Sequence, residues 1–528
     1  MNLSEQIDTS RNQSMVGMDI PWLLEQWVQR TPDKPFMIWE PFTGETAVWS
    51  FLELQLASKS VASGLHTQGV RQGDFVIIHL DNSPEFIISW FACAMLGAVA
   101  VSTNTRSVAR DMTYFAEHTR AVCAITQPKF ASLITESCPD LRFLWVTDND
   151  TGEPTSPPSG VQARAFSELL DHEATLPARA VAHEIPLSIQ FTSGTTSRPK
   201  AVLWTHANGL WAGKISASHF RLRVDDITLV YLPLFHTNAQ GYSMLSTLWS
   251  GGTIVLQPRF SSSRFWDICL KHRITWSSMI PFAFKALASQ PVPVHQMRFW
   301  GIGARLPVIE QQFGVQTLGY WGMTETLTQG IFADLDQPGP AGSMGRVAPE
   351  YEIQVRKPTG GLAGPDELGI LHIRGVRGVT LFKEYYGNAE ATDSAFDENG
   401  WFDTGDIIRM DNDGHLFFSD RDKDMLKVGA ENVAASEIES VILQTGWIDE
   451  CAVVAQKHHM LDEVPVVFVI ANPNAPDDLE ASIIVHCREQ LADFKVVRAV
   501  HIVDELPRST LEKIAKNELR KRLAPITD

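Results

Sequence analysis

Residues 190–202, QFTSGTTSRPKAV, gather five hydroxyl side chains, a glycine, a proline and two cations into one short run. Backbone N–H groups opened by Gly194, the hydroxyls of Thr192, Ser193, Thr195 and Thr196, and the ammonium of Lys200 together suit a polyanion, phosphate above all. The order is not that of a Walker loop, which needs G-x-x-x-x-G-K-[ST]. Here Gly194 is followed five positions later by Pro199, before Lys200. A hydroxyl-rich surface turn would have the same composition, so its partners have to be sought elsewhere in the chain.

One such partner set lies on a β-hairpin. IIRM (407–410), a DNDG turn (411–414) and HLFFS (415–419) read as two strands about a tight turn. That geometry sets Asp406 across from Ser419, with its carboxylate within reach of Arg421. Such a pair closes a hairpin as a surface ion pair, or it offers a carboxylate to the two hydroxyl donors of a sugar diol.

The elements that must hold these groups are those of an α/β protein. DFVIIHL (74–80), a helix opening at DNSPEF with Pro84 in its first turn, and AVAVS (98–102) form a βαβ unit. AVCAIT (121–126), LRFLWVTD (141–148), ITLVYLPL (227–234) and GTIVLQ (252–257) repeat the pattern, each separated by helix-length segments. The pattern predicts a large body with parallel sheets. After the hairpin comes the charged stretch DRDKD (420–424), and then SEIE (436–439) reads as a capping box that opens a helix. The strands CAVVAQ, VVFVI and AVHIVDEL complete a small α+β domain. The boundaries expected are 1–420 and 421–528, and no internal repeat is visible.

Composition removes several classes. With 528 residues the chain exceeds one core, and 44% hydrophobic with 20% charged residues is ordinary globular usage. A net charge of −18 disfavours nucleic acid, whose binding rests on Lys and Arg at phosphates. Six cysteines without a C-x-x-C pair indicate neither a disulfide frame nor a zinc site. MNLSEQIDTS lacks the basic and apolar regions of a signal peptide, and the run FIISWFACAMLGAVAV (86–101) is too short to span a bilayer. It reads as a buried helix, a stop at Gly97 and a strand. The expectation is a cytoplasmic enzyme without a transmembrane segment.

FTSGTTSRPK (191–200), YWGMTET (320–326), GWFDTGD (400–406), RDKDMLKVGAENV (421–433) and PRSTLEKIAK (507–516) stand in the order seen in the acyl-adenylate-forming superfamily. The resemblance covers essentially the whole chain. It implies ATP, Mg²⁺ and coenzyme A as partners of a small carboxylic acid, joined through acyl-AMP, with a homodimer left open. It implies that Thr192, Ser193, Gly194, Thr195, Thr196 and Lys200 clamp the departing pyrophosphate. Trp321 stands where the family usually stacks a Tyr on adenine; Gly303, Ala304, Tyr320 and Gly322 complete the nucleotide site. Thr324 would bond the α-phosphate, Glu325 would hold Mg²⁺, and Asp406 and Arg421 would take the ribose hydroxyls. Lys513 would serve adenylation and Lys427, on the other side of the small domain, the thioester step, with the pivot at Lys423. Two departures stand out. Glu512 replaces the usual Gly before the catalytic lysine, and Ala430, beside Gly429 in the pantetheine tunnel, replaces another Gly.

HLDNSPEFIISWF (79–91), FTSGTTSRPKAV and LFKEYYGNAEAT (381–392) resemble most closely the carnitine/crotonobetaine CoA ligases. By resemblance the acid pocket takes Trp211, His236, Asn238, Trp300, Gly301 and Tyr320, with His236 as a gate beside the acyl group. This aromatic and polar lining suits a compact acid. A quaternary ammonium would there depend on Trp211, Trp300, Tyr320 or Tyr242. Transfer to a carrier-protein thiol and a luciferase-like oxidation remain as alternatives for the second step; a non-catalytic nucleotide-binding protein is the third alternative, disfavoured because Lys513 and Glu325 are both present.

Overall fold

The computed structural model describes residues 15–177, 179–192, 199–421, 425–428, 431–458, 462–491, 493–508 and 514–523. Two compact units emerge, Met1–Glu352 with Ile373–Phe402, and Ile353–His372 with Asp403–Asp528.

The first unit is built on two large sheets. One runs in spatial order Arg346–Val347, Ile331–Phe332, Gln316–Trp321, Phe299–Ile302, Trp276–Ser278, Ile227–Val230, Thr253–Leu256, Pro35–Trp39 and Ala47–Ser50. Its six central strands are parallel and its edges antiparallel. The other runs Glu384–Tyr385, Lys200–Thr205, Pro186–Thr192, Val99–Ser102, Phe75–His79, Cys123–Thr126, Phe143–Val146 and Arg164–Ala165. It is parallel from Pro186–Thr192 onward. The parallel body expected from the repeated apolar runs is present. Strands covered on both faces need near-continuous apolar sequence rich in Val, Ile and Leu, and VIIH, VAVS and TIVL come close to it, all buried.

The helix Pro84–Leu96 shows how the sequence sets these elements. Ser83 caps it by accepting from Phe86 N, Pro84 sits at its first position, and Gly97 ends it in the left-handed region at φ 77°. Almost every residue of this helix is buried, which explains an apolar run without a helical period. No helix among the described residues is long and apolar enough to cross a membrane. All six cysteines are buried thiols.

The second unit joins most of a four-stranded sheet (Glu352–Arg356, Leu368–Arg374, Trp401–Met410, Leu416–Arg421), whose last two strands pair antiparallel, to a small α+β body. In that body Ile448–His458 and Asp462–Ala471 form a long hairpin, flanked by Met425–Val428 with Glu431–Ala434 and by the parallel strand Ala499–Ile502. The helices Ala435–Leu443 and Leu479–Gln490 close a core of Leu426, Ile438, Val453, Val467, Val469 and Ile483. The capping box expected at Ser436 and Glu439 does not form. The helix starts one residue earlier, at Ala435, so Ser436 lies inside it and gives its hydroxyl to the Ser419 carbonyl. Glu439 is drawn away to accept from Val453 N at 2.7 Å and to pair with Lys516 at 2.9 Å.

Candidate active site

The hydroxyl-rich run joins two antiparallel strands, and the pairing Thr192↔Lys200 closes its mouth. Ser193, Gly194, Thr195 and Thr196 lie outside the described residues. At the roots, Thr192 Oγ1 donates to Lys200 O at 3.5 Å, and the Lys200 ammonium lies 4.5 Å from the centroid of the Tyr385 ring. Tyr385 comes from the strand Glu384–Tyr385, which pairs with Val202 and Leu203. Its hydroxyl donates to Glu325 Oε1 at 2.9 Å. Burial, with the Glu325 charge beside it, pushes the Tyr385 phenol well above its ordinary range, so it stays a donor.

Glu325 belongs to the turn that comes after the strand Gln316–Trp321. Every main-chain carbonyl from 324 to 326 is held. Trp204 Nε1 donates to Thr324 O at 3.0 Å, Phe382 N to Glu325 O at 2.9 Å, and Tyr351 Oη to Thr326 O at 2.8 Å. The turn is therefore fixed before any ligand arrives, and it presents the half-buried Thr324 beside the buried Glu325 and Trp321. Gly322 is required here, because a Cβ would stand 2.4 Å from Tyr242 Oη and 2.6 Å from Thr328 O. Mg²⁺ takes one or two carboxylates and completes its shell with phosphate oxygens and water. A single buried carboxylate, oriented by a phenol and next to the Lys200 strand, fits that share.

The residues expected around the acid are brought together only in part. Tyr320 Oη accepts from Asn238 Nδ2 at 3.0 Å and shares a hydrogen bond with Ser278 Oγ at 2.6 Å. Its ring packs edge-on against Tyr242 at 5.7 Å and covers Gly301, where a Cβ would meet it at 2.9 Å. Asn238 opens a π-helical segment, Asn238–Leu245, a form often found at functional sites. Half-buried His236 stands just before it, edge-on to Phe235 at 4.6 Å. Beneath, Thr237 donates to Gln190 at 2.6 Å and Gln190 to Gln240 at 2.8 Å, so these buried polar groups are satisfied within the fold.

Trp300 does not join this group. It points to the opposite face of its strand, fully buried, 5.0 Å from Phe313 and 6.3 Å from Trp266. Trp211 gives its indole N–H to Tyr351 Oη at 3.3 Å, supporting the turn at Thr326 from behind. Gly303 lies exposed beyond that strand's end with open space where a Cβ would stand, and Ala304 comes next, half-buried.

In the second unit Asp406 is buried and faces Arg421, not Ser419. Two features shift the register. Asp411 still pairs with His415, its N–H donating to His415 O at 2.9 Å, so the loop is only 412–414 with Gly414 at φ 78°. Ser419 is then bulged out between the pairs Ile408↔Phe418 and Ile407↔Asp420. For Arg421 and Lys427 the structure gives their strands, Leu416–Arg421 and Met425–Val428. Lys423, Gly429, Ala430 and Lys513 lie outside the described residues.

Sequence reasoning missed Tyr385, Trp204 and Tyr351. Tyr385 lies in a stretch of family likeness that carries no chemical pattern of its own, and nothing linear marks a contact between residues 60 apart.

Residues 24–386 match the family model of AMP-binding enzymes, and residues 437–513 match that of the AMP-binding enzyme C-terminal domain. A crotonobetaine/carnitine–CoA ligase of Escherichia coli O127:H6 is 34% identical over 505 residues, covering 92% of this chain and 96% of the ligase. Among solved structures, an anthranilate CoA ligase in complex with anthranoyl-AMP superposes with a TM-score of 0.86 at 25% identity, over 96% of this chain and 97% of the other. ATP-bound MatB from Rhodopseudomonas palustris gives 0.84 at 25% identity, over 96% and 99%.

Proposed function

The chain belongs to the AMP-binding enzyme family and is an AMP-forming acid–CoA ligase, and from that premise we propose that it activates a compact carboxylic acid carrying no second charge. The acid's carboxylate attacks the α-phosphate of ATP, giving acyl-AMP and pyrophosphate; the thiol of CoA then displaces AMP to give the thioester. Lys200 and the hydroxyls of the 192–196 run hold the leaving pyrophosphate, and Thr324 bonds the α-phosphate. Mg²⁺, when bound at Glu325, supplies positive charge to the phosphate oxygens. Trp321 stacks on adenine, while Asp406 and Arg421 take the ribose diol. Lys513 meets the negative charge that grows on the α-phosphate and carboxylate oxygens. A mobile domain starting at Arg421 and pivoting at Lys423 then brings Lys427, with Gly429 and Ala430, to the thioester step. The cytoplasm, which supplies ATP and CoA, is the place we assign to the reaction.

The observation that carries the choice of acid is the set of groups against Tyr320. Asn238, Ser278, Tyr242, Phe220 and Gly301 are all uncharged. A quaternary ammonium cannot donate a hydrogen bond, so it needs a carboxylate or several aromatic faces. Of the four aromatic side chains considered for that task, Trp300 is turned into the core and Trp211 is engaged beneath Tyr351. The Tyr242–Tyr320 pair is left. The relative that acts on crotonobetaine and carnitine supports a betaine as a second reading.

A panel of acids scored by pyrophosphate release with ATP, Mg²⁺ and CoA tests the choice. Small aryl and short-chain acids are expected to exceed crotonobetaine and γ-butyrobetaine. An aromatic box worth about 2 kcal/mol would favour a betaine over its uncharged trimethyl-carbon analogue roughly thirty-fold. That preference would overturn the uncharged-acid reading.

A further inference from the structure

Tyr385 stands between Glu325 and Lys200, the two charged groups proposed to hold the phosphate end of ATP, and the role inferred for it rests on that proposal. It is 4% exposed and lies on a strand of two residues, whose whole length pairs with the strand that starts at Lys200. Its hydroxyl reaches Glu325 Oε1 at 2.9 Å and its ring lies under the Lys200 ammonium at 4.5 Å. The same segment grips Glu325 a second time, since Phe382 N donates to the Glu325 carbonyl at 2.9 Å. A carboxylate pinned at both its main chain and one oxygen has little freedom to rotate. An ammonium held over a ring keeps its direction at the mouth of the loop.

We infer that Tyr385 is a positioning residue that fixes Glu325 and Lys200 relative to each other, so that Mg²⁺ and the terminal phosphates of ATP are taken up as one unit. The hydroxyl governs the metal's share and the ring governs the phosphate's share. The two are separable by substitution, because phenylalanine keeps the ring and leucine keeps neither.

The probe is Mn²⁺, followed by its electron paramagnetic resonance, titrated into protein saturated with α,β-methylene-ATP. Tyr385→Phe is expected to raise the Kd for Mn²⁺ about tenfold or more, the usual effect of losing a partner that orients a metal ligand. In turnover, the Mg²⁺ concentration for half-maximal pyrophosphate release should rise by a similar factor, more than the rate at saturating Mg²⁺ falls. Transfer of supplied acyl-AMP to CoA, which needs no metal at Glu325, should persist and reports an intact fold. Tyr385→Leu should in addition weaken binding of the analogue with EDTA present, where Tyr385→Phe does not. Glu325→Gln distinguishes a failure of this role from a failure of the metal site itself. If it loses Mn²⁺ while Tyr385→Phe binds Mn²⁺ like wild type, the role of Tyr385 is refuted. If both bind Mn²⁺ like wild type, the assignment of Glu325 falls and the role of Tyr385 with it.

Discussion

His206 should make the large unit sensitive to acid, and its replacement by asparagine should remove a definable part of that sensitivity. The imidazole is fully buried, and its Nδ1 accepts from Ile20 N at 3.2 Å, at the start of the helix Ile20–Arg30. Nε2 therefore carries the proton, and no partner among the described residues meets it. Burial, with Arg179 nearby adding repulsion, pushes the pKa from 6.5 down to about 3. In the unfolded chain the same group takes a proton near 6.5. The stabilisation it contributes is thus complete above that pH and is lost progressively as pH falls, because the unfolded state binds the proton first. At pH 5 the loss is about 2 kcal/mol, taking 1.36 kcal/mol for each unit below 6.5. His79, held by Thr103 Oγ1 at 2.8 Å and lowered to about 4 by burial, adds about the same. Glu85 works in the opposite sense, its carboxyl raised by burial, but it is common to both proteins and cancels. His206→Asn keeps an acceptor for Ile20 N–H and has nothing to titrate. Urea unfolding followed by tryptophan fluorescence at pH 7.5 and pH 5 should show a fall smaller by about 2 kcal/mol in the variant. The packing cost of the smaller side chain appears at both pH values and drops out. Equal falls in the two proteins would mean that His206 is solvated or charged in the folded state, contrary to its burial.

Two pairs of substitutions address the reaction and the turn. Lys513→Ala should lower adenylation by roughly 10²-fold or more, the scale of one preorganised charge lost from a transition state, while supplied acyl-AMP still reacts with CoA. Lys427→Ala should do the reverse, and loss of the same half-reaction in both variants contradicts a domain that presents two faces. Gly322→Ala should destabilise by about 1–3 kcal/mol and weaken ATP binding, since Tyr242 can swing aside but the Thr328 carbonyl at 2.6 Å cannot. Gly303→Ala, with nothing within 4 Å of its added methyl, should melt like wild type; equal melting of the two variants would refute the crowding at Gly322.

Much of the fold was legible because its physical causes are local. Ser83, Pro84 and Gly97 each act within one turn of the helix they bound, and strands buried on both faces must be largely apolar, as Val76–Ile78 and Ile254–Leu256 are. Register is different. The DNDG turn announces a hairpin, yet whether Asp406 faces Ser419 or Arg421 depends on how far the ladder runs into the turn and on a bulge at Ser419. Neither costs enough locally to leave a mark in composition. The failed capping box at Ser436 has the same origin: a pattern satisfied in sequence was overridden by a strand edge and by Lys516, which reach Glu439 from elsewhere in the small body.

For the site, one error could have been avoided from the chain alone. Trp300 and Gly301 are neighbours on a strand, and successive side chains of a strand leave on opposite faces. Only one of them can face Tyr320. Gly301 has to, because Tyr320 lies where its Cβ would be, and Trp300 is then committed to the Phe265, Trp266 and Phe313 side. The join between the 192–200 run and Glu325 was beyond such reasoning. It arises because the short strand Glu384–Tyr385 adds itself to the edge of the Lys200 strand, and this in turn lays Phe382 and Tyr385 against Glu325. The motifs name the groups proposed to touch ATP, but the spacing of Lys200 and Glu325 is held by a residue in none of those motifs. Substitutions at Tyr385 should therefore change how tightly the metal and nucleotide are bound together, even where every residue of the two motifs is intact.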